Sequence, residues 1–230
     1  MMRFPRCLKS NALNLALALA SAFLSALVFA QIPGQEANGG SKANRPYADG
    51  PLTEADFKGK QPAEGELAKV PFQAYLFLDI TWSSQHRTFG RGRVVNAHLT
   101  HFEATAVSDP AKSWNHRGKK NPELLDHEQG HFDITQIHAQ RLELKMRKLI
   151  AAKKPPGGTG EDESAAVQAL NSLLNKEYVA AKLICDQENV EYDKLTVHGT
   201  ALEKQHELRR IHQETLKKQA EEFKAIKKKK

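Results

Sequence analysis

His127 and His131 stand four positions apart, with Glu128 directly after the first of them, in the run His127-Glu128-Gln129-Gly130-His131. On a helix, side chains at that spacing stack on one face, so two imidazoles can converge on one ion at the bond length of about 2.0–2.1 Å that zinc requires. Glu128 lies about 100° further round. A carboxylate there sits beside the ion's open position, where it can take a proton from a bound water whose pKa the metal has lowered to about 7. The chain has ten histidines, and chance yields this pattern in roughly 3% of chains of that composition, so its surroundings must carry the reading.

The surroundings are helical. Asn121 is a good N-cap, Pro122 suits the first helical position, and no proline follows until Pro155, which predicts one helix over 121–153 of about seven to nine turns. Leu125, Phe132, Ile137, Leu142 and Leu149 recur at helical spacing, so the helix packs by at least one apolar stripe. In the competing reading of the same residues, His127 and His131 form a polar surface patch with Asp126 or Asp133.

A catalytic zinc keeps three protein ligands, so a third must come from elsewhere. His138 is two turns beyond His131, roughly 10 Å along the axis, and too far. Cys185, beside Leu183 and Ile184, reads as a small core residue. Glu191 to Gly199 offers Asp193 and His198, both residue types that bind zinc. On a helix about 140° separates the two, so one of them faces the ion; His198 is favoured as ligand, with Asp193 orienting an imidazole, steadying an oxyanion, or taking the ligand position instead.

The remaining segments must position these groups. Residues 1–30 read as an export signal: Arg3, Arg6 and Lys9 precede an acid-free apolar run from Leu13 to Phe29, with a small-residue cleavage site ending at Ala30. Retention of the run as an N-terminal anchor is the alternative. Cleavage removes three cations and takes the formal charge from +7 to 7 − 3 = +4, and leaves Cys185 as the lone cysteine, so no intrachain disulfide holds the domain. Residues 31–51 read as a flexible spacer, 52–226 as a single domain, and Lys227 to Lys230 as a basic tail able to touch an anionic surface weakly. Leu52 to Phe57 resembles a capped helical turn. Val70 to Trp82 alternates with period two and predicts a strand, Gly90-Arg91-Gly92 a turn, and Arg93 to Val107 a second strand pairing antiparallel with the first. Asp109 to Lys120 is a polar loop, Pro155-Pro156-Gly157-Gly158 a break, Glu161 to about Asp186 a second helix, and Thr200 to Ile226 a third.

Leu52-Thr53-Glu54-Ala55-Asp56-Phe57-Lys58-Gly59-Lys60, the stretch from Lys112 to Ile134, and Tyr192 to Gly199 followed by Gln205 together resemble an exported bacterial family catalogued as a domain of unknown function (nine hundred twenty-two), whose members are commonly labelled zinc-dependent proteases. The resemblance runs from about Leu52 to His212. It implies that His127, Glu128, His131, Asp193 and His198 belong to the functional set.

These observations predict an α+β domain, a small antiparallel sheet on the HExxH helix and two further helices, zincin-like. The expected ligands of a Zn2+ ion are His127, His131 and His198, or Asp193 in its place, and the expected general base is Glu128. The function expected is that of an exported peptidase, periplasmic or secreted, acting on a peptide or cell-wall peptide. The alternative is a non-catalytic envelope protein that binds metal through the same histidines. No nucleotide-binding glycine loop, serine-nucleophile elbow or nucleic-acid recognition helix stands out, and no membrane span is expected after signal cleavage.

Overall fold

The computed structural model describes residues 44–61, 74–91, 94–115 and 121–227. They belong to one compact unit, Ala37–Lys230, and form an α+β fold. Its strands are β1 (Arg45–Pro46), β2 (Ala74–Tyr75), β3 (Leu78–Arg91), β4 (Val94–Ser108), β5 (Trp114–Asn115) and β6 (Gly157–Gly160). Its helices are α1 (Pro122–Ala151), α2 (Glu163–Thr196) and α3 (Leu202–Lys227). β3 and β4 form a long antiparallel hairpin; β1 and β6 pair with opposite ends of the far side of β4, and β2 pairs with β5 in a separate ribbon.

The hairpin carries a bulge where Gln85 faces His101 and His86 faces Leu99, so Thr100 is the extra residue. An extra residue reverses the alternation of faces. That is why Ala97 and Leu99 before the bulge, and Phe102, Ala104 and Ala106 after it, are all buried. Ile80 and this face of β4 meet Ala139, Leu142 and Met146 of α1 and Ala166, Leu170 and Leu174 of α2 in the main core. A second cluster joins Leu52, Leu76, Ala106 and Phe132, and a third joins Ile134, Cys185 and Tyr192 between α1 and α2.

Helix α1 is the axis of the fold. From Phe132 to Ala139 every residue is buried, and a helix enclosed on all sides must satisfy its polar groups internally. Asp133 does so through Tyr47, Gln129 and, from α3, Arg209 and Gln213. Arg209 also bonds Asp126, and Gln205 bonds Asp126 and the Glu123 carbonyl, so α3 docks on α1 largely through polar contacts. Asn121 caps α1 by accepting from the Leu124 N–H at 3.1 Å.

Several boundaries differ from those expected. Arg45 to Asp49, within the stretch read as a spacer, is structured: β1 pairs with Ser108 and Val107, and Tyr47 packs edge-on against Phe132 at 4.9 Å. The first long strand begins at Leu78 and continues to Arg91, because pairing with β4 outweighs the polar composition of Ser83 to Thr88. The break at Pro155-Pro156-Gly157-Gly158 ends in β6; at Gly158 a Cβ would lie 2.2 Å from the Ala166 carbonyl oxygen, so only glycine lets this strand pass beneath α2. Helix α2 continues ten residues past Asp186 to Thr196. Among the described residues no helix is long and apolar enough to cross a membrane. Residues 1–30, where an export signal is expected, and Lys228 to Lys230 lie outside the described residues.

Phe102, 1% exposed and stacked on Trp82 at 5.6 Å, anchors the main core. Phe102→Ala is expected to lower unfolding stability by about 3–5 kcal/mol in urea denaturation, while Val94→Ala, at a site 55% exposed, changes it by under about 0.5 kcal/mol.

Candidate metal centre

The first turns of α1 carry His127, Glu128 and His131, and the last turns of α2 bring Asp193 against them. The Nε2 atoms of His127 and His131 are 3.2 Å apart, and each lies 3.1 Å from Asp193 Oδ1. Three donor atoms around a tetrahedral ion at about 2.0–2.1 Å stand about 3.4 Å from one another, so this triangle has nearly the size zinc needs. His127, His131 and Asp193 are the group, among the described residues, whose ligand atoms all fall within 4.8 Å of one another.

The far side of each imidazole supports the same reading. His131 Nδ1 lies 2.8 Å from Asn189 Oδ1, and His127 Nδ1 lies 3.4 Å from Thr196 Oγ1. The Nδ1 atoms thus find partners on α2, and both Nε2 atoms face the Asp193 carboxylate. Burial works against ionisation of Asp193, but hydrogen bonds from His127 and His131 outweigh it and hold its carboxyl far below the usual range. Burial also pushes His127 down. It works against charge on His131 too, yet the hydrogen bond to Asp193 and the charge of Glu128 raise that imidazole on balance. A proton on His131 can therefore answer the carboxylate in the free chain, and a divalent cation that displaces it satisfies all three atoms at once.

Glu128 is buried beside the triangle, and burial, with the charge of Asp193 and against that of His131, pushes its carboxyl up to about 7. Its side chain lines a cleft of about 320 Å3. The floor is Leu124, His127, Glu128 and His131; one wall is Ala74, Tyr75, Leu76 and Leu78, and the other is formed by α2 from Lys182 to Asp193. His198 lies at this cleft with Nδ1 3.5 Å from Asp193 Oδ1, outside the triangle.

The segment that presents His198 is strained. Val197, His198 and Gly199 have φ of 48°, 51° and 82°, three left-handed residues in succession, and Val is a poor fit to that region. The His198 N–H bonds the Asp193 carbonyl at 2.9 Å, which closes the helix end and ties His198 to the backbone of Asp193. A Cβ at Gly199 would lie 3.0 Å from His127 Cγ, so this turn packs directly on the His127 ring.

Sequence reasoning found His127, His131 and Glu128 but favoured His198 over Asp193 as their third partner, whereas Asp193 closes the triangle and His198 lies beside it; Asn189, Thr196 and Tyr192 were missed. The Tyr192 ring stacks on His127 at 5.1 Å, meets His131 edge-on at 5.0 Å, and lies tilted against His212 at 5.5 Å. Their signal was available: Asn189, Asp193 and Thr196 share one face of a helix, which became visible only once α2 was followed past Asp186. His138, excluded as a ligand on distance, pairs instead with Glu188 at 2.7 Å. Cys185 is buried, its thiol pushed up to about 11 by burial.

Gly130 sets the approach of the two helices, because a Cβ there would meet Tyr192 Oη at 2.2 Å. Ala is normally better than Gly in a helix by about 1 kcal/mol. Gly130→Ala is expected to reverse that sign and cost about 1–3 kcal/mol by overpacking, with the loss shrinking in the Gly130→Ala/Tyr192→Ala double variant when both are measured by chemical denaturation.

Comparisons with protein-family models, with curated proteins and with solved structures find no match to this chain.

Proposed function

We propose that this protein is an exported zinc-dependent amide hydrolase, zincin-like in its use of α1, acting on peptides or cell-wall peptides. The observation that carries the reading is the convergence of His127 Nε2, His131 Nε2 and Asp193 Oδ1 within 3.1–3.2 Å of one another, beside a buried Glu128 and at the floor of a cleft. Two imidazoles and one carboxylate make a three-ligand set that leaves a coordination position for water, as hydrolysis requires and a closed structural site does not. The resemblance carried by the stretches at Leu52, Lys112 and Tyr192 and the export signal over 1–30 point to the same class and place.

A zinc ion held by His127, His131 and Asp193 would supply an acidified water and a Lewis acid for the scissile carbonyl. The protein's own groups do the rest. Glu128 takes the proton from the attacking water and returns it to the leaving amine nitrogen, two transfers that a carboxyl poised near neutrality performs with similar ease. His198, at the cleft and tied to Asp193, donates a hydrogen bond to the carbonyl oxygen as negative charge develops there. Leu76, Leu78, Leu124 and Val190 line the cleft with apolar surface that keeps bulk water from the reacting atoms.

The test is zinc content and turnover together. Purified residues 31–230 should hold about one zinc per chain, His131→Ala should lose it, and Glu128→Gln should keep it while turnover falls by about 10²–10⁴. Zinc at a thousand times its Kd should stabilise the fold by about 4 kcal/mol, a gain that chelation removes. A Glu128→Gln variant as active as the parent contradicts the assignment; a metal site with all four positions filled by protein would instead mark a non-catalytic metal-binding role.

A further inference from the structure

One face of α2 does more than deliver Asp193. Asn189, Asp193 and Thr196 lie along it at spacings of four and three residues, and each meets the histidine pair on α1. The geometry points to Asn189, with Thr196 in a lesser part, as a positioning residue that sets the tautomer and ring orientation of a metal-ligating histidine and thereby the affinity of the site for zinc. This rests on the metal reading of His127, His131 and Asp193 given above.

The direction of the Asn189 amide is fixed independently of the histidine. Its Nδ2 donates to the Cys185 carbonyl at 3.0 Å and to Cys185 Sγ at 3.4 Å, so its Oδ1 is the atom turned to His131 Nδ1, 2.8 Å away. An oxygen at that distance requires a proton on Nδ1, since two acceptors would otherwise face each other. The lone pair of a neutral His131 then resides on Nε2, at the vertex of the triangle.

Thr196 repeats the logic for His127. Its hydroxyl donates to the Tyr192 carbonyl at 2.7 Å, which leaves an oxygen lone pair for His127 Nδ1 at 3.4 Å. This contact is the longer and weaker of the two, so Asn189 should matter more. The arrangement makes α2 the orienting element as well as the source of the carboxylate. Partners of this kind fix ring orientation and raise ligand basicity, and their removal weakens metal binding about 10–100-fold.

Asn189→Ala and Asn189→Asp separate positioning from mere helix packing. Both lose the amide N–H bonds to Cys185, whereas Asp alone keeps an oxygen acceptor for His131 Nδ1. Zinc affinity is measured by competition with a chromophoric chelator on the full purified chain, beside circular dichroism and melting of the metal-free forms. Asn189→Ala should bind zinc about 10–100-fold more weakly, and Asn189→Asp within about threefold of the parent. Ala binding as the parent does, or Ala and Asp weakened alike, overturns the proposal. Should Asn189→Ala fail to fold, Thr196→Val against Thr196→Ser gives the same contrast: Val weaker with Ser restored supports it, and an equal loss in both overturns it. A parent chain that binds no zinc overturns the metal centre itself, and this role with it, whereas a zinc-binding parent with an unaffected Asn189→Ala overturns this role alone.

Discussion

Three electron-rich atoms on two helices face one another across 3.1–3.2 Å, and the rest of the structure holds them there. Left without a proton or a cation between them, two imidazole lone pairs and a carboxylate oxygen would repel, and in a half-buried setting that repulsion is weakly screened. A protein tolerates such a convergence when surrounding contacts over-determine it. Here they do so from both sides. Tyr192 packs against both rings, Gly130 admits Tyr192 by having no Cβ, and Asn189 and Thr196 engage the outward nitrogens.

The same constraint explains the polar interior around α1. A helix that must present His127 and His131 to α2 while being enclosed by the sheet and α3 needs a fixed rotation about its axis, and apolar packing alone permits small rotations. Asp133, fully buried and bonded by Tyr47, Gln129, Arg209 and Gln213, locks that rotation from the side opposite the site. Buried ion pairs of this type add little net stability but are costly to break singly. Their use on the helix that carries the site serves register over raw stability.

Much of this was readable in the residues themselves. Asn121, Pro122 and the uninterrupted run to Pro155 marked α1 almost to its ends, and HExxH on that helix named three of the four groups at the centre. The antiparallel hairpin was legible only in part: of the strand expected over Val70 to Trp82, Leu78 to Trp82 lies in it, Ala74 and Tyr75 pair with β5 instead, Val70 to Gln73 lie outside the described residues, and Ser83 to Thr88 carry no hydrophobic signal and are held by pairing with β4. The choice between Asp193 and His198 was hidden for a related reason. Residues 187–196 look polar enough to end a helix, yet α2 runs through them because one narrow face is buried against α1, and only that continuation turns Asp193 inward. His198 then falls just past the helix end, in a left-handed turn that helical spacing cannot describe. Tyr192 opens the third stretch of the resemblance and Asn189 lies outside all three, and the roles of both follow from how two helices cross.

Anomalous diffraction at the zinc absorption edge, on crystals of the zinc-loaded protein, tests the central claim most directly. The account predicts a single peak about 2.0–2.1 Å from His127 Nε2, His131 Nε2 and Asp193 Oδ1, with its remaining position open to the cleft beside Glu128. A peak held elsewhere, or no peak at full zinc loading, would contradict it.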